Sequence, residues 1–261
     1  MKKHFIITLL LVLPLAGFIF CSTPISQYFE KRIFVDPKGG KLPYRFLQPL
    51  KMEKGRKYPL VLFLHGAGER GNDDSIQLRN GVQLFVKPEV REQFPCYMLV
   101  PQCPSDLKWV DTDWHLDKHL MPDTLSFPLR LVVALLNKTI REYPIDTTRI
   151  YLTGISMGGF GVWDLLQRFP NKFAAAAPVC GGADETKAEL LKNIPIWDFH
   201  GGNDKLVKTI RSRNIIAAIR AAGGHPIYTE YAGMGHHCWD SAYGDLKIPK
   251  WMFAQHLNAN K

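Results

Sequence analysis

The sequence predicts an α/β fold, a mostly parallel sheet of about eight strands with helices on both faces. Three observations carry that expectation. Extended apolar segments alternate with helix-length stretches through the later part of the chain, and strand–helix–strand alternation produces parallel pairing. The opening extended segments have no helix between them and are expected to pair antiparallel. A length of 261 residues with 46% hydrophobic and 22% charged residues, and no repeat or low-complexity tract, fits one globular domain with a sizeable core.

Taken in order, the opening pair is residues 32–35 and 44–47. The third segment, 59–64, runs into the glycine-rich loop His65-Gly66-Ala67-Gly68-Glu69-Arg70-Gly71. The fourth, 97–100, lies between Cys96 and Cys103. Residues 104–122 contain Trp109, Trp114 and His115 without periodicity and are expected to form part of a substrate rim. Helices are expected at 125–141, 158–168 and 211–222, the second stopped by Pro170. They separate strands at 149–153, 174–179, 196–200 and 227–231. Ligands on such a sheet bind beyond the carboxyl ends of its strands.

One of those ends is distinctive. In Arg149-Ile150-Tyr151-Leu152-Thr153-Gly154-Ile155-Ser156-Met157-Gly158-Gly159-Phe160-Gly161 an apolar strand enters a G-x-S-x-G turn, and a helix follows. Glycines two residues to either side of Ser156 are required because a Cβ at either would meet neighbouring backbone in so tight a turn. This is a nucleophile elbow, with Ser156 exposed at its apex.

A serine hydroxyl is a weak nucleophile near neutral pH and needs a base, which in turn needs a carboxylate to orient it. In elbow-type hydrolases the acid and then the histidine follow the serine along the chain. Asp204, in the loop His200-Gly201-Gly202-Asn203-Asp204, is the acid candidate. His236, in Gly233-Met234-Gly235-His236-His237-Cys238-Trp239-Asp240, is the base candidate; His237 and His200 are the alternatives, and His200 is expected to pack or hydrogen-bond at its strand end. The Met157 N–H and that of Ala67 or Gly68 are the expected oxyanion donors. His65 is expected to shape its loop, and Glu69 and Arg70 either to form an ion pair buttressing that loop or to bind a polar substrate. Trp109 and Trp239 stand between substrate contact and packing.

These motifs, with Pro101-Gln102-Cys103-Pro104 and Ala177-Pro178-Val179-Cys180-Gly181-Gly182, resemble the bacterial carboxylesterase and peptidase branch of the α/β-hydrolases. That branch is related to phospholipase/carboxylesterase, polyhydroxybutyrate depolymerase and feruloyl esterase groups. The resemblance spans about residues 41–257 and implies nucleophile, acid and base at Ser156, Asp204 and His236. It departs from the family pattern in having His237 and Cys238 between the histidine and Trp239-Asp240.

Residues 1–23 read differently from the rest. Lys2 and Lys3 precede an apolar run broken by Pro14 and Gly17, the shape of a signal peptide, so the catalytic domain is expected at 24–261. Export to the periplasm or exterior follows, with membrane attachment only if the N-terminus is lipidated at Cys21 or left uncleaved. Loss of Lys2 and Lys3 lowers the formal charge from +9 to +7. The basic residues are scattered and no nucleic-acid motif accompanies them, so nucleic-acid binding is not expected. Cysteine and histidine spacing is not metal-like, and no cofactor is implied. Export would permit disulfides: Cys180 and Cys238 are the candidate pair, Cys96 and Cys103 being expected as buried free thiols. The resulting expectation is a serine hydrolase acting on small or carbohydrate-linked carboxylic esters. A serine peptidase of the same fold and a non-catalytic binding protein are the alternatives.

Overall fold

The computed structural model describes residues 24–257; the segment read as a signal peptide, Cys21 included, lies outside them. Eight strands form one sheet: β1 (Glu30–Val35), β2 (Lys41–Leu47), β3 (Tyr58–Leu64), β4 (Tyr97–Pro101), β5 (Ile145–Ile155), β6 (Ala175–Val179), β7 (Trp197–Gly201) and β8 (Ile227–Tyr231). Their spatial order is β1-β2-β4-β3-β5-β6-β7-β8. β1 and β2 pair antiparallel, as does β2 with β4, while every pairing from β4 through β3 to β8 is parallel.

The central strands are buried on both sides because successive side chains point to opposite faces. On β3, Leu60, Leu62 and Leu64 join one core, and Val61 and Phe63 join the other. The first core is closed by α3 (Phe127–Glu142), α4 (Met157–Arg168) and α5 (Ile210–Ala221), which contribute Leu131, Leu135, Phe160, Trp163 and Ile215. The second is closed by shorter helices, α1 (Gln83–Val86), α2 (Pro88–Gln93), α6 (Trp239–Ala242) and α7 (Lys247–Phe253), through Phe85, Val90, Ala242 and Met252. Full burial of one such large side chain contributes about 1.5–3 kcal/mol.

The three long helices match the expected ones within two residues at each end. The four short ones carry too few turns to show a helical period. β5 begins earlier than its apolar run because Ile145 pairs with Tyr58, ahead of a register shift between Tyr58 and Leu60. Among the described residues no helix is long and apolar enough to cross a membrane.

Candidate active site

Ser156 ends β5 in the left-handed region, at φ 52°, a conformation that a side chain adopts only when its surroundings impose it. The packing that imposes it is visible at the two glycines. A Cβ on Gly158 would lie 1.9 Å from the Leu64 carbonyl oxygen, and one on Gly154 would lie 2.5 Å from the same atom. β3 and α4 thus meet backbone to backbone, and the serine is left at the tip of the turn.

The candidate acid and base are brought to it by two loops at the same sheet end. The loop after β7 is pinned to the loop after β8 by the Gly202 N–H donating to the Tyr231 carbonyl (2.9 Å) and the Asn203 N–H donating to the Met234 carbonyl (2.8 Å). They approach so closely that a Cβ on Gly201 would sit 2.0 Å from the Gly235 oxygen. From these loops Asp204 and His236 converge. His236 Nδ1 is 2.6 Å from Asp204 Oδ2, and Nε2 is 2.8 Å from Ser156 Oγ.

Asp204 is buried and fully solvated by the protein. Its Oδ1 accepts the Leu206 and Val207 N–H groups at 2.9 and 3.0 Å, while Oδ2 faces His236 and, at 3.2 Å, His200 Nε2. Burial opposes ionisation, but hydrogen bonds from the two imidazoles overcome it and hold the carboxyl well below the usual carboxylate range. Asp204 is therefore the ionised member, and its charge fixes a proton on His236 Nδ1.

Gly66 lies beside the serine, a Cβ on it being 3.6 Å from Ser156 Cβ, and Ala67 and Gly68 line the same cavity. The Met157 N–H is the first of α4 and has no intrahelical acceptor. A cavity of about 610 Å³ opens over Ser156, lined by Ala67, Gly68, Trp114, His236 and Trp239, among others.

Several expected side chains stand elsewhere. Trp109 is fully buried, not a cavity residue; its Nε1–H donates to the His65 carbonyl at 3.0 Å, and α4 packs on it through Gly161. Trp114, from the same aperiodic segment, lines the cavity instead. Trp239 does line it, edge-on to the His236 ring at 5.6 Å. His237 is exposed, lies over Trp239 with ring centroids 4.5 Å apart and also lines the cavity, with no hydrogen bond to Asp204 or Ser156. His65 shapes its loop: Nδ1 donates to the Gly66 carbonyl and Nε2 accepts the Cys103 N–H. Glu69 and Arg70 make no ion pair. The Glu69 carboxylate takes the Asn80 amide, and Arg70 donates to the Ala67 and Leu107 carbonyls.

Cys180 and Cys238 are both buried and adjacent, as their positions in the sequence implied, but they are free thiols rather than a disulfide. Burial and the Cys238 sulfur hold the Cys180 thiol well above its ordinary range, which keeps it protonated and unreactive. Cys96 and Cys103 are free and buried too. Among the described residues Cys180, Asp204 and His236 form the one set whose potential metal-ligand atoms all lie within 4.8 Å of one another. Both ring nitrogens of that histidine are already engaged, by Asp204 and Ser156.

Comparison with known proteins bears on the fold. A solved structure of a thermostable esterase matches with a TM-score of 0.82 and 39% sequence identity over 89% of this chain. The chain has the α/β-hydrolase fold. It spans 64% of that esterase's chain. A bifunctional acetylxylan esterase/xylanase of Neocallimastix patriciarum is 36% identical over 76 residues, 29% of this chain and 11% of the relative. An uncharacterized secreted protein of Arthroderma benhamiae is 26% identical over 250 residues, 79% of this chain and 25% of its own length. No protein-family model matches the chain.

Residues 104–122 were expected at the rim, and Trp114 and His115 line the cavity, but the sequence carried no signal separating Trp114 from Trp109. Arg211, in α5, is 1% exposed and donates to the Leu116 carbonyl at 2.6 Å, with its guanidinium 4.8 Å from the Phe160 ring centroid. It anchors the segment that presents Trp114 and His115 to the cavity, a role that only the folded chain reveals.

Proposed function

We propose that this α/β-hydrolase is an exported serine esterase that cleaves small or carbohydrate-linked carboxylic esters through an acyl-enzyme. The observation that carries the reading is the continuous hydrogen-bonded line Ser156–His236–Asp204 at the floor of an open cavity. With Nδ1–H committed to Asp204, the Nε2 lone pair of His236 faces the serine. As Ser156 Oγ attacks the ester carbonyl, its proton passes to Nε2, and Asp204 stabilises the imidazolium that results.

The carbonyl oxygen becomes an oxyanion held by the Met157 N–H and that of Ala67 or Gly68; loss of one such donor typically costs about 3 kcal/mol of transition-state stabilisation. When the tetrahedral adduct collapses, the imidazolium returns its proton to the departing alcohol, leaving an acyl group on Oγ. Water then attacks that acyl group with His236 again as base, and the carboxylic acid leaves. Trp114 and Trp239 offer flat apolar surfaces for the acyl group or a sugar ring.

Esterase and acetylxylan esterase names among the relatives support ester over amide substrates. The Lys2-Lys3 start, its apolar run and the secreted relative support export. Initial rates on aryl acetates, aryl butyrates, feruloyl esters and aminoacyl amides test the reading. Turnover of the esters, abolished in Ser156→Ala, is expected; turnover of the amides alone would replace it with a peptidase.

A further inference from the structure

Behind Asp204 lies a second histidine and a second carboxylate. His200, at the end of β7, is completely buried. Its Nε2 is 2.8 Å from the Val207 carbonyl and 3.2 Å from Asp204 Oδ2, and its Nδ1 is 2.7 Å from Ser212 Oγ on α5. Carbonyl and ionised carboxylate are both acceptors without a proton, so Nε2 must carry one. Two residues earlier on the same strand stands Asp198, fully buried, with the Ser212 hydroxyl and the Phe199 N–H as its neighbouring donors but neither oxygen in good hydrogen-bond geometry. A buried carboxyl left in that state calls for an explanation.

We propose, on the reading that Ser156, His236 and Asp204 form the working site, that His200 is a positioning residue for it, with Asp198 as its buried counter-group. His200 would hold Asp204 from the side opposite His236 and draw part of the carboxylate's charge away from the base.

The geometry gives the reason. Asp204 Oδ1 is fixed by two backbone N–H groups, but Oδ2, the atom that orients His236, would otherwise have no donor but the base itself. A carboxylate oxygen with one moving partner follows that partner. The second N–H, from a ring locked by Val207 and Ser212, keeps Oδ2 in place while the proton moves on the other side. The groups facing His200 are Asp198 from its own strand, Asp204 and the Val207 carbonyl from the next loop, Ser212 from α5, Glu230 from β8 and Cys238 from the histidine loop. The charged ones are all acidic, and together with hydrogen bonding they outweigh burial to raise the His200 pKa. Burial pushes the Asp198 carboxyl up to about 7, against the pull of His200. Asp198 can thus meet a His200 that is neutral or charged without an unbalanced buried ion, and the Nε2–H, bonded to the Val207 carbonyl, stays beside Asp204 Oδ2 at an N···O distance of 3.2 Å in both cases.

The test compares His200→Leu with His200→Gln, whose amide N–H replaces the Nε2 donor. Two readouts are needed: the pH profile of kcat/KM, and titration of His236 followed by NMR of histidine ring nitrogens in the absence of substrate. In the leucine variant the full charge of Asp204 falls on the His236 imidazolium. The acid limb and the NMR titration should then both move to higher pH by at least about half a unit, and kcat/KM should fall about ten- to a hundredfold. The glutamine variant should restore both to near wild type. A folded leucine variant with an unmoved His236 titration would overturn the proposal, as would equal impairment of both variants with that titration unchanged. Should the wild type turn over no ester, the hydrolase reading fails, and the NMR titration still decides the role of His200 separately.

Discussion

The Cα of Gly158 faces the carbonyl oxygen of Leu64 at a distance that leaves no room for a methyl group: a Cβ there would lie 1.9 Å from that oxygen. Because the obstacle is backbone in the central strand, no rotamer change relieves it. Gly158→Ala should therefore destabilise the fold by about 3 kcal/mol or more. The urea midpoint measures it, and a midpoint equal to wild type would mean that β3 and α4 can separate at the elbow.

Ser156→Ala removes a half-exposed hydroxyl and little packing, so the fold should persist while ester hydrolysis disappears. A fluorophosphonate probe should label Ser156 and nothing else. Labelling that survives the substitution, or activity within about tenfold of wild type, would refute the assignment of the nucleophile.

Adjacent histidines should behave unequally. His236 bridges Asp204 and Ser156, whereas His237 rests on Trp239 at the cavity wall. His236→Ala is expected to lose several orders of magnitude in kcat, and His237→Ala less than about thirtyfold, mostly in KM. Steady-state kinetics of the two variants gives the ranking directly.

Arg211 holds the rim segment through the Leu116 and Asp113 carbonyls and the His119 ring. Arg211→Met keeps an unbranched side chain against Phe160 but removes those donors. KM should rise about tenfold with kcat within threefold, since the segment carries Trp114 and His115 rather than the reacting groups. An unchanged KM would show that the rim is held by other contacts.

Stability should fall on mild acidification, and His65 is one named cause. Burial pushes its pKa down to about 4, against an ordinary value of about 6.5 once unfolded. Between those values the unfolded chain binds the extra proton. The contribution of His65 is therefore complete above about pH 6.5 and is lost as pH falls toward 4. His119, depressed to about 4 by burial, acts in the same window. Asp198 acts in the opposite sense, its stabilisation being present below the ordinary carboxyl range and lost as pH rises through about 7. The difference between wild type and His65→Gln, read as urea midpoints from pH 4 to 8, isolates the first contribution; parallel curves would exclude it.

The order of elements was legible because it rests on local rules. Apolar runs, helix-length stretches and a glycine-flanked serine repeat information within ten or twenty residues, and from them the sheet, the elbow and the acid-then-histidine order follow. Asp204 and His236 could be named because each sits in a glycine-rich loop at a strand's carboxyl end, and the elbow's sterics were readable from Gly154 and Gly158 alone. Side-chain choice between near neighbours was not. Trp109 and Trp114 lie five residues apart in a segment without period, and which of them turns inward depends on the backbone of α4 at Gly161, far along the chain. The thiol pair could be placed side by side from sequence, but its free state in the structure depends on the local geometry of the β6 end and the start of α6. His200 was readable as a strand-end histidine; that it grips Asp204 depends on how β7, α5 and the loop between them pack. Periodicity and motif spacing belong to the chain, whereas the partner of a buried polar atom belongs to the distances that only packing creates.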